Sequence, residues 1–317
     1  MNQLEALKQY TTVVVDSSNI ESIIKYCPQD ATTNPSIILE SINLDIYKDL
    51  IENAINYARK QGGSKEIKVI NASDKVAVDI GTKILKYIPG RISTEIDARI
   101  SFNTLACINR ANKLIGMYED NGIDRSRVLI KLASTWEGIC AARELEKDKI
   151  KCNLTLIFSI IQAIAAAEAK AFLISPFVGR VYDWYNSRNL LNPYSVEQDP
   201  GVKLIKDIYN YYKNHDYNTI IMGASFRKKD QITALAGCDY LTISPNLLNE
   251  LRNTHEPLVK NLNIFTNKIF YKSTPILESE FRWEQNQNPM AVEKLSEGIR
   301  KFSLDQQQLE IVLSTKI

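Results

Sequence analysis

The sequence predicts an α/β protein built as a single closed (β/α)8 barrel over residues 1–317, with extra helices that include a long C-terminal helix. Eight short apolar runs of strand length recur along the chain, and segments with helical period separate them. The runs are rich in Val, Ile and Leu on both faces, as in a parallel sheet that helices cover. Because eight such units follow one another without a polar linker, a closed barrel is favoured over an open doubly wound sheet.

The predicted strands leave room for a helix between neighbours. They span residues 11–16, 30–33, 91–97, 128–132, 152–156, 172–175, 219–222 and 240–243. Apolar residues at three- and four-residue steps predict helices through 108–118 and 204–212, and an apolar stripe predicts further helices over 67–88. A long amphipathic helix over 289–317 is expected to cap the barrel or to serve a subunit contact. Its predicted apolar face consists of Ala291, Leu295, Ile299, Phe302, Leu309 and Val312.

Charge and cysteine content restrict the class of protein. The chain has 39 basic and 37 acidic side chains, a net charge of +2, which argues against a protein dedicated to binding nucleic acid or anionic membranes. Its five cysteines form no CxxC pair, as expected in a reducing compartment. No secretory signal or membrane span is apparent, so we expect a cytoplasmic protein.

The chain offers few groups for the commonest kinds of catalytic or metal site. Only two histidines occur, His215 and His255, which leaves little from which to build a Ser-His-Asp triad or a histidine metal site. Neither a GxGxxG nor a GxxxxGK phosphate loop is present. Acid–base chemistry would therefore depend on carboxylates, lysine or tyrosine.

Polar side chains lie at or near the ends of seven predicted strands. In a parallel barrel, reactive residues collect at the carboxyl ends of the strands, because the loops that follow all open onto that end. One polar strand end is ordinary helix capping, whereas seven at the same end predict a site. The candidates from the first six strands are Asp16, Asn34, Glu95, Lys131, Asn153, Thr155 and Ser175, and the seventh strand runs into Ser225 and Arg227.

Lys131 is the least expected of these residues because it lies inside the apolar run 128–133. One interpretation is a partly buried lysine that extends its ammonium group to solvent at the strand end. The other is a Schiff-base nucleophile, since desolvation disfavours the ammonium form and frees the amine to attack a ketone carbon. Strand parity lets Glu95 lie across the barrel mouth from Lys131, where a carboxylate could shuttle protons during imine formation.

Asp16 has two interpretations as well. It follows Val13–Val15 and could cap a helix over 17–26, or it could take a proton from a substrate hydroxyl at the barrel mouth.

The basic residues near the seventh strand also have two interpretations. The run Arg227-Lys228-Lys229 could be a solvated helix start. Alternatively, Arg180, Ser225 and Arg227 could form a phosphate pocket, because barrels often hold phosphate in the loops after the last two strands.

These residues occur in six motifs that resemble the transaldolase family, of the longer single-domain type, in order and over nearly the whole chain. The motifs are DATTNPS at 30–36, GRISTE at 90–95, IKLASTW at 130–136, CNLTL at 152–156, ISPFVGR at 174–180 and GASFR at 223–227. One departure is Ser17-Ser18-Asn19, where the family often has Thr-Gly-Asp. We expect that difference to affect only the loop.

The resemblance implies a role for each candidate. Lys131 would form the Schiff base, Asp16 would deprotonate the C4 hydroxyl, and Glu95 would act through a water held by Thr155. The remaining residues would bind substrate. Asn34, Asn153 and Ser175 would hold the dihydroxyacetone part, Arg180, Ser225 and Arg227 would hold the phosphate, and Phe177, otherwise a plain core residue, would favour transfer over cleavage.

The implied reaction transfers dihydroxyacetone from sedoheptulose 7-phosphate to glyceraldehyde 3-phosphate, which yields erythrose 4-phosphate and fructose 6-phosphate. Because the protonated imine would serve as the electron sink, the resemblance implies neither a metal nor an organic cofactor. Two alternatives stay open at this point. One is an aldolase that uses the same lysine and releases free dihydroxyacetone, and the other is a non-catalytic barrel that binds sugar phosphates. The family also suggests a homodimer.

Overall fold

A computed structural model describes residues 1–188, 194–263 and 274–317 of the chain. Within these ranges, eight parallel strands close into the (β/α)8 architecture of a TIM barrel, as predicted. Each strand pairs with the next, and β8 closes the ring by pairing with β1. The strands are β1 (Thr12–Asp16), β2 (Asp30–Thr32), β3 (Ile92–Glu95), β4 (Val128–Ala133), β5 (Cys152–Ile157), β6 (Leu173–Pro176), β7 (Ile220–Gly223) and β8 (Tyr240–Ile243).

Helices surround the barrel and add the predicted extra segments. They are α1 (Gln3–Leu7), α2 (Ile20–Tyr26), α3 (Pro35–Ser41), α4 (Lys48–Gln61), α5 (Lys65–Ile84), α6 (Thr104–Asp120), α7 (Trp136–Lys147), α8 (Ile160–Glu168), α9 (Val178–Asn186), α10 (Pro200–Asn214), α11 (Lys229–Thr233), α12 (Pro245–Asn253), α13 (Glu278–Asn286) and α14 (Pro289–Ser314). Short 3-10 helices span Asp45–Tyr47, Ala98–Ile100 and Arg125–Arg127. In the described ranges no helix combines the length and the apolar character that a bilayer crossing needs.

Side-chain caps fix where many of these helices begin. The side chain of Asn19 accepts the backbone N–H of Ser22 at the start of α2, and Asn34 does the same for Ile37 in α3. Such caps satisfy backbone donors that have no partner inside the helix. Because Asn19 is the cap of α2, the prediction that Asp16 might cap this helix is wrong, and the Asp16 carboxylate remains available for other contacts.

The C-terminal helix α14 is as long as the sequence predicts and packs against α3, α5, α9 and β5. Its predicted apolar face is correct except at the last position. Val312 is exposed, whereas its neighbour Leu313 is fully buried. One residue corresponds to about 100° of rotation on a helix, so the stripe continues from Leu309 to the residue four positions later.

The barrel interior consists of an apolar layer below a polar layer. Val14, Leu129, Leu173 and Met222 form the apolar layer. Because side chains alternate along a strand, the residue two positions after each of the first three points inward as well. Those residues are Asp16, Lys131 and Ser175, so strand periodicity alone places three of the predicted site residues in one layer at the carboxyl end of the barrel.

Candidate active site

A cavity of about 220 Å³ opens at the carboxyl end of the barrel. Nearly all of the predicted site residues line it, namely Asp16, Asn34, Lys131, Thr155, Ser175, Phe177, Arg180, Ser225 and Arg227. The other two, Glu95 and Asn153, lie behind this lining and contact Lys131 and Ser175, respectively. The fold therefore brings all eleven predicted residues together.

Lys131 lies on the inner face of β4 and is only 5% exposed. Its Nζ donates a hydrogen bond to the Thr33 carbonyl at 3.3 Å and lies 3.0 Å from Glu95 Oε2. The amine is thus held at the wall of the cavity and does not extend into bulk solvent, which excludes the first interpretation of this lysine. Lys131 lines the cavity, so its amine can contact a molecule bound there.

Glu95 lies beside Lys131 and not across the barrel mouth as predicted. The reason is strand order: β3 and β4 are neighbours, and their register pairs Glu95 directly with Lys131. Burial raises the pKa of the Glu95 carboxyl, although the positive charges of Lys131 and Arg180 oppose this effect. A carboxyl group that retains its proton beside a nucleophilic amine is suited to general acid–base catalysis.

The Thr155 hydroxyl is fully buried at the cavity wall and has no hydrogen-bond partner among the described residues. A buried hydroxyl without a partner is costly, so such groups in native proteins commonly serve a bound molecule. Parallel pairing places Thr155 next to Ala133 on β4, one alternation above Lys131. This hydroxyl is therefore available to a small group bound near the amine.

Asp16 ends β1 and is held by a threonine that the sequence analysis missed. Thr32 donates its hydroxyl to Asp16 Oδ1 at 2.7 Å, and Thr32 Oγ1 lies 2.8 Å from Thr242 Oγ1. Both threonines line the cavity. Thr32 lies in the quoted DATTNPS motif, two residues before Asn34, so strand alternation was a signal for its inward orientation.

A hydrogen bond connects Asn153 and Ser175 in the polar layer of the barrel interior. The Ser175 hydroxyl donates to Asn153 Oδ1 at 2.7 Å, and Asn153 Nδ2 donates to Ser93 Oγ at 3.2 Å. Asn34 uses its side-chain oxygen to cap α3, so its amide N–H groups remain available at the cavity wall. Uncharged donors and acceptors of this kind suit the hydroxyl and carbonyl groups of a sugar.

Arg180 and Arg227 give the cavity a cationic side. The Arg180 guanidinium packs over the rings of Phe177 and Phe302, 5.0 and 5.4 Å from their centroids. Burial and the nearby Arg227 lower the pKa of Arg180, and the described residues provide it with no ion pair. Such a cation is poorly compensated until an anion binds beside it.

Arg227 forms an ion pair with Asp183 and directs one N–H group to the cavity. Its Nε and Nη2 bond the Asp183 carboxylate, while Nη1 lies 3.3 Å from Ser225 Oγ at the cavity. The run 227–229 does precede a short helix, α11, which begins at Lys229. However, Arg227 also lines the cavity together with Ser225, so both residues belong to this site.

Two further differences from the sequence analysis concern which residues reach the cavity. Over the predicted strand 91–97, alternation would place Asp97 on the same face as Glu95. The strand ends at Glu95, however, and the Asp97 carboxylate pairs with Arg99 outside the cavity. Phe302, predicted only as part of a buried helix stripe, lines the cavity. Its role depends on where α14 crosses the barrel, which the period of the sequence does not specify.

Phe177 also lines the cavity, in addition to packing in the core. It is 6% exposed and contacts Phe158 edge to face, with ring centroids 5.6 Å apart. One part of the ring therefore faces the cavity, while another part packs against Phe158. An apolar ring at this position limits the groups that can donate a proton to a molecule bound to the lysine.

Comparisons with known proteins identify the family of the chain. The family model described as Transaldolase/Fructose-6-phosphate aldolase matches residues 13–313. A transaldolase of Sodalis glossinidius (strain morsitans) is 59% identical over 317 residues, and one of Baumannia cicadellinicola subsp. Homalodisca coagulata is 60% identical over 318 residues. Transaldolase A of Escherichia coli (strain K12) is 57% identical over 317 residues, and each alignment covers 100% of both chains. The chain therefore belongs to the transaldolase/fructose-6-phosphate aldolase family.

Proposed function

We propose that the chain works as a transaldolase, a transferase of the pentose phosphate pathway that moves a dihydroxyacetone unit between phosphorylated sugars. The full-length similarity to transaldolases supports this function. The single observation that carries the chemistry is the contact between a buried amine and a buried carboxyl group, Lys131 Nζ and Glu95 Oε2, at the wall of a polar cavity. Every step proposed below depends on that pair.

In the first step, the unprotonated Lys131 amine attacks the C2 carbonyl of sedoheptulose 7-phosphate to give a carbinolamine. The Glu95 carboxyl, through a water held by the Thr155 hydroxyl, protonates the departing C2 hydroxyl, which leaves as water. The product is a protonated imine on Lys131. Hydrolysis at the end of the cycle reverses these transfers, with Glu95 first removing a proton from the attacking water.

In the second step, Asp16 takes the proton of the C4 hydroxyl, and the C3–C4 bond breaks. The bonding electrons enter the protonated imine and form an enamine, while C4 becomes the aldehyde of erythrose 4-phosphate. The enamine then attacks the aldehyde carbon of glyceraldehyde 3-phosphate, and Asp16 returns its proton to the new hydroxyl oxygen. We assign the hydroxyl groups of the retained three carbons to Asn34, Asn153 and Ser175.

The two arginines and Ser225 supply the phosphate site in this proposal. Arg180 lacks an ion-pair partner in the described part of the chain, and Arg227 presents one N–H group beside Ser225. These residues line the same cavity as Lys131. A phosphate bound here would hold the reacting carbons over the amine, so its binding energy would also orient the reaction.

A second candidate is a fructose 6-phosphate aldolase, because the family model covers both activities. The two differ in the fate of the enamine: an aldolase protonates it and releases dihydroxyacetone. The apolar Phe177 ring beside the cavity favours transfer, since it has no proton to donate. Product analysis with and without an acceptor aldehyde separates the activities. Free dihydroxyacetone formed at the same rate in both conditions would reject transfer.

Lys131→Arg provides the direct functional test. A guanidinium stays protonated and cannot act as a nucleophile, so we expect turnover to fall to background while phosphate binding persists. Transfer activity and the dissociation constant for inorganic phosphate are the two measurements. Substantial turnover in this variant would exclude lysine catalysis, and intact phosphate binding would show that the barrel is still folded.

We also propose that the chain functions as one domain in the cytoplasm and assembles as a homodimer. In support, the described strands close a single barrel, and α14 exposes apolar side chains that include Leu304 and Ile311. Exposed apolar residues on one helix are a common feature of subunit contacts. Sedimentation velocity tests the assembly, and a species with the mass of one chain at all concentrations would reject it.

A further inference from the structure

We propose that Thr32 and Thr242 are positioning residues for Asp16. In this proposal a chain of two hydroxyl groups holds one carboxylate oxygen and leaves the other to act on the substrate. The inference rests on the proposed function, because it concerns the step in which Asp16 takes the proton of the C4 hydroxyl. It assigns a role to two residues that the sequence analysis did not select as site residues and that the proposed mechanism does not use.

The direction of the hydrogen bonds follows from the chemistry of the groups. An ionised carboxylate only accepts, so the single hydroxyl hydrogen of Thr32 points to Asp16 Oδ1, at 2.7 Å. Thr32 Oγ1 has no second hydrogen to donate, so it can only accept a hydrogen bond from Thr242 Oγ1, which lies 2.8 Å away. Thr242 must therefore be the donor of that bond, and the chain runs in one direction from Thr242 through Thr32 to Asp16.

The three side chains come from three neighbouring strands. β1 lies between β2 and β8 in the barrel, and register pairs Asp16 with Thr32. Thr32 and Thr242 are only 2% and 5% exposed, so water competes little for their hydroxyl groups. A buried hydroxyl needs a hydrogen-bond partner. Here the Thr242 hydroxyl bonds that of Thr32, and the Thr32 hydroxyl bonds the Asp16 carboxylate.

The consequence for the reaction is orientation. A hydrogen bond to an ionised acceptor is stronger than a neutral one, so Thr32 fixes the carboxylate rotamer at the end of β1. With Oδ1 occupied, Oδ2 is the oxygen that can accept the substrate proton. Thr242 acts one step further away, because it fixes the hydroxyl rotamer of Thr32 and polarises the bond to Asp16.

The proposal predicts a selective defect in bond cleavage. Thr32→Val keeps the β-branched shape that suits a strand but removes the hydroxyl, so we expect kcat to fall about ten- to a hundredfold. Thr32→Ser restores the donor and should recover most of the activity. Thr242→Val should have a smaller effect, and the double valine variant should be no worse than Thr32→Val, because the outer hydroxyl acts only through the inner one.

Borohydride trapping with fructose 6-phosphate separates this step from imine formation. Reduction before cleavage leaves a six-carbon phosphorylated adduct on the lysine, whereas reduction after cleavage and protonation of the enamine leaves a three-carbon adduct. We expect Thr32→Val to form adduct at the wild-type rate but to shift it toward the six-carbon form. A valine variant with the wild-type adduct ratio and kcat would overturn the proposal, and so would a Thr32→Ser variant as defective as the valine variant.

Thr219→Val is the matched control for a structural effect. Thr219 is also buried, and its hydroxyl donates to the Ala171 carbonyl at 2.7 Å before the start of β7, away from the cavity. We expect this variant to lose thermal stability with an unchanged adduct ratio. An equal shift in the control would overturn the positioning role. Absence of any adduct in the wild type would instead reject the proposed function, so the two failures are distinguishable.

Discussion

At the scale of single residues, the site depends on a carboxyl group and an amine that share one desolvated position. Glu95 and Lys131 are each almost fully buried, and their side-chain atoms are 3.0 Å apart. Burial raises the pKa of the Glu95 carboxyl, which therefore holds its proton more readily than an exposed glutamate does. In the proposed mechanism, this carboxyl group carries out proton transfer in a chain that has only two histidines.

The raised pKa of Glu95 gives a prediction with a definite sign. Because burial raises this pKa, the carboxyl keeps its proton at pH values where an exposed glutamate has lost it, and the rate of imine formation should fall as pH rises through the raised value. Glu95→Gln has no such proton. We expect it to slow imine formation about 10²- to 10⁴-fold and to abolish that dependence on pH.

Single-turnover trapping with borohydride across a range of pH measures this effect. Glu293→Gln is the matched control, since Glu293 lies near the surface and pairs with Arg188. The control should retain the rate and the pH profile of the wild type. If Glu95→Gln kept the same profile as the wild type, proton transfer by Glu95 would be excluded.

At the scale of secondary-structure elements, the C-terminal helix α14 completes the cationic side of the site. Phe302 contributes a ring to the packing of Arg180, and Gly298 allows the helix to approach the barrel closely. A Cβ atom at Gly298 would lie 2.7 Å from Leu156 Cδ2 and 3.2 Å from Arg180 Nη1. Glycine is a poor helix former, so its presence here is explained by this close approach.

Gly298→Ala should therefore harm substrate binding although alanine favours a helix. We expect the methyl group to displace Arg180 and to raise KM for phosphorylated substrates several-fold, with a smaller change in kcat. Gly116→Ala is the matched control, because Gly116 lies in α6 with no atom within 4 Å of its added Cβ. This control should stabilise the fold by about 0.5–1 kcal/mol and leave KM unchanged. Equal KM values in the two variants would contradict the role assigned to α14.

The comparison between sequence and structure is also clearest for elements. Apolar periodicity located the strands to within one or two residues, because period and burial are local properties. Strand parity also gave the correct face for Lys131. Strand parity does not give the register between neighbouring strands. For that reason Glu95 was predicted to lie across the barrel mouth from Lys131, whereas it lies directly beside it. Thr242 and Phe302 were missed because their roles depend on how distant segments meet.

At the scale of the whole molecule, the two ends of the barrel have different roles, one in binding and one in stability. The carboxyl end holds the cavity, while polar groups at the amino end join neighbouring elements. The Glu146 carboxylate of α7 accepts the backbone N–H groups of Cys152 and Phe172, at 2.8 and 2.7 Å. It thereby connects α7 to the starts of two neighbouring strands, and burial raises its pKa.

This group makes stability depend on pH. A folded-state pKa above the unfolded value means that the folded chain binds more protons between the two values, so the stabilising contribution present at low pH is lost as pH rises through this window. Glu146→Gln keeps an acceptor oxygen but cannot ionise. We expect the free energy of unfolding of the wild type to fall relative to that of the variant as pH increases from acidic to neutral.

Denaturant unfolding at a series of pH values measures the difference. Glu144→Gln serves as the control because Glu144 is exposed and pairs only weakly with Lys147 at the surface. The control should track the wild type closely. A Glu146→Gln variant whose unfolding free energy runs parallel to that of the wild type would show that this carboxyl is not preferentially protonated in the folded state.

The central claim is that the Lys131 amine forms a covalent imine with a ketose phosphate. Borohydride reduction of the wild-type protein with fructose 6-phosphate, followed by peptide mass spectrometry, tests it most directly. We predict a stable sugar-derived adduct on the peptide that contains Lys131, and none on Lys131→Arg treated in the same way. An unmodified Lys131, or an adduct formed only on surface lysines, would contradict the account.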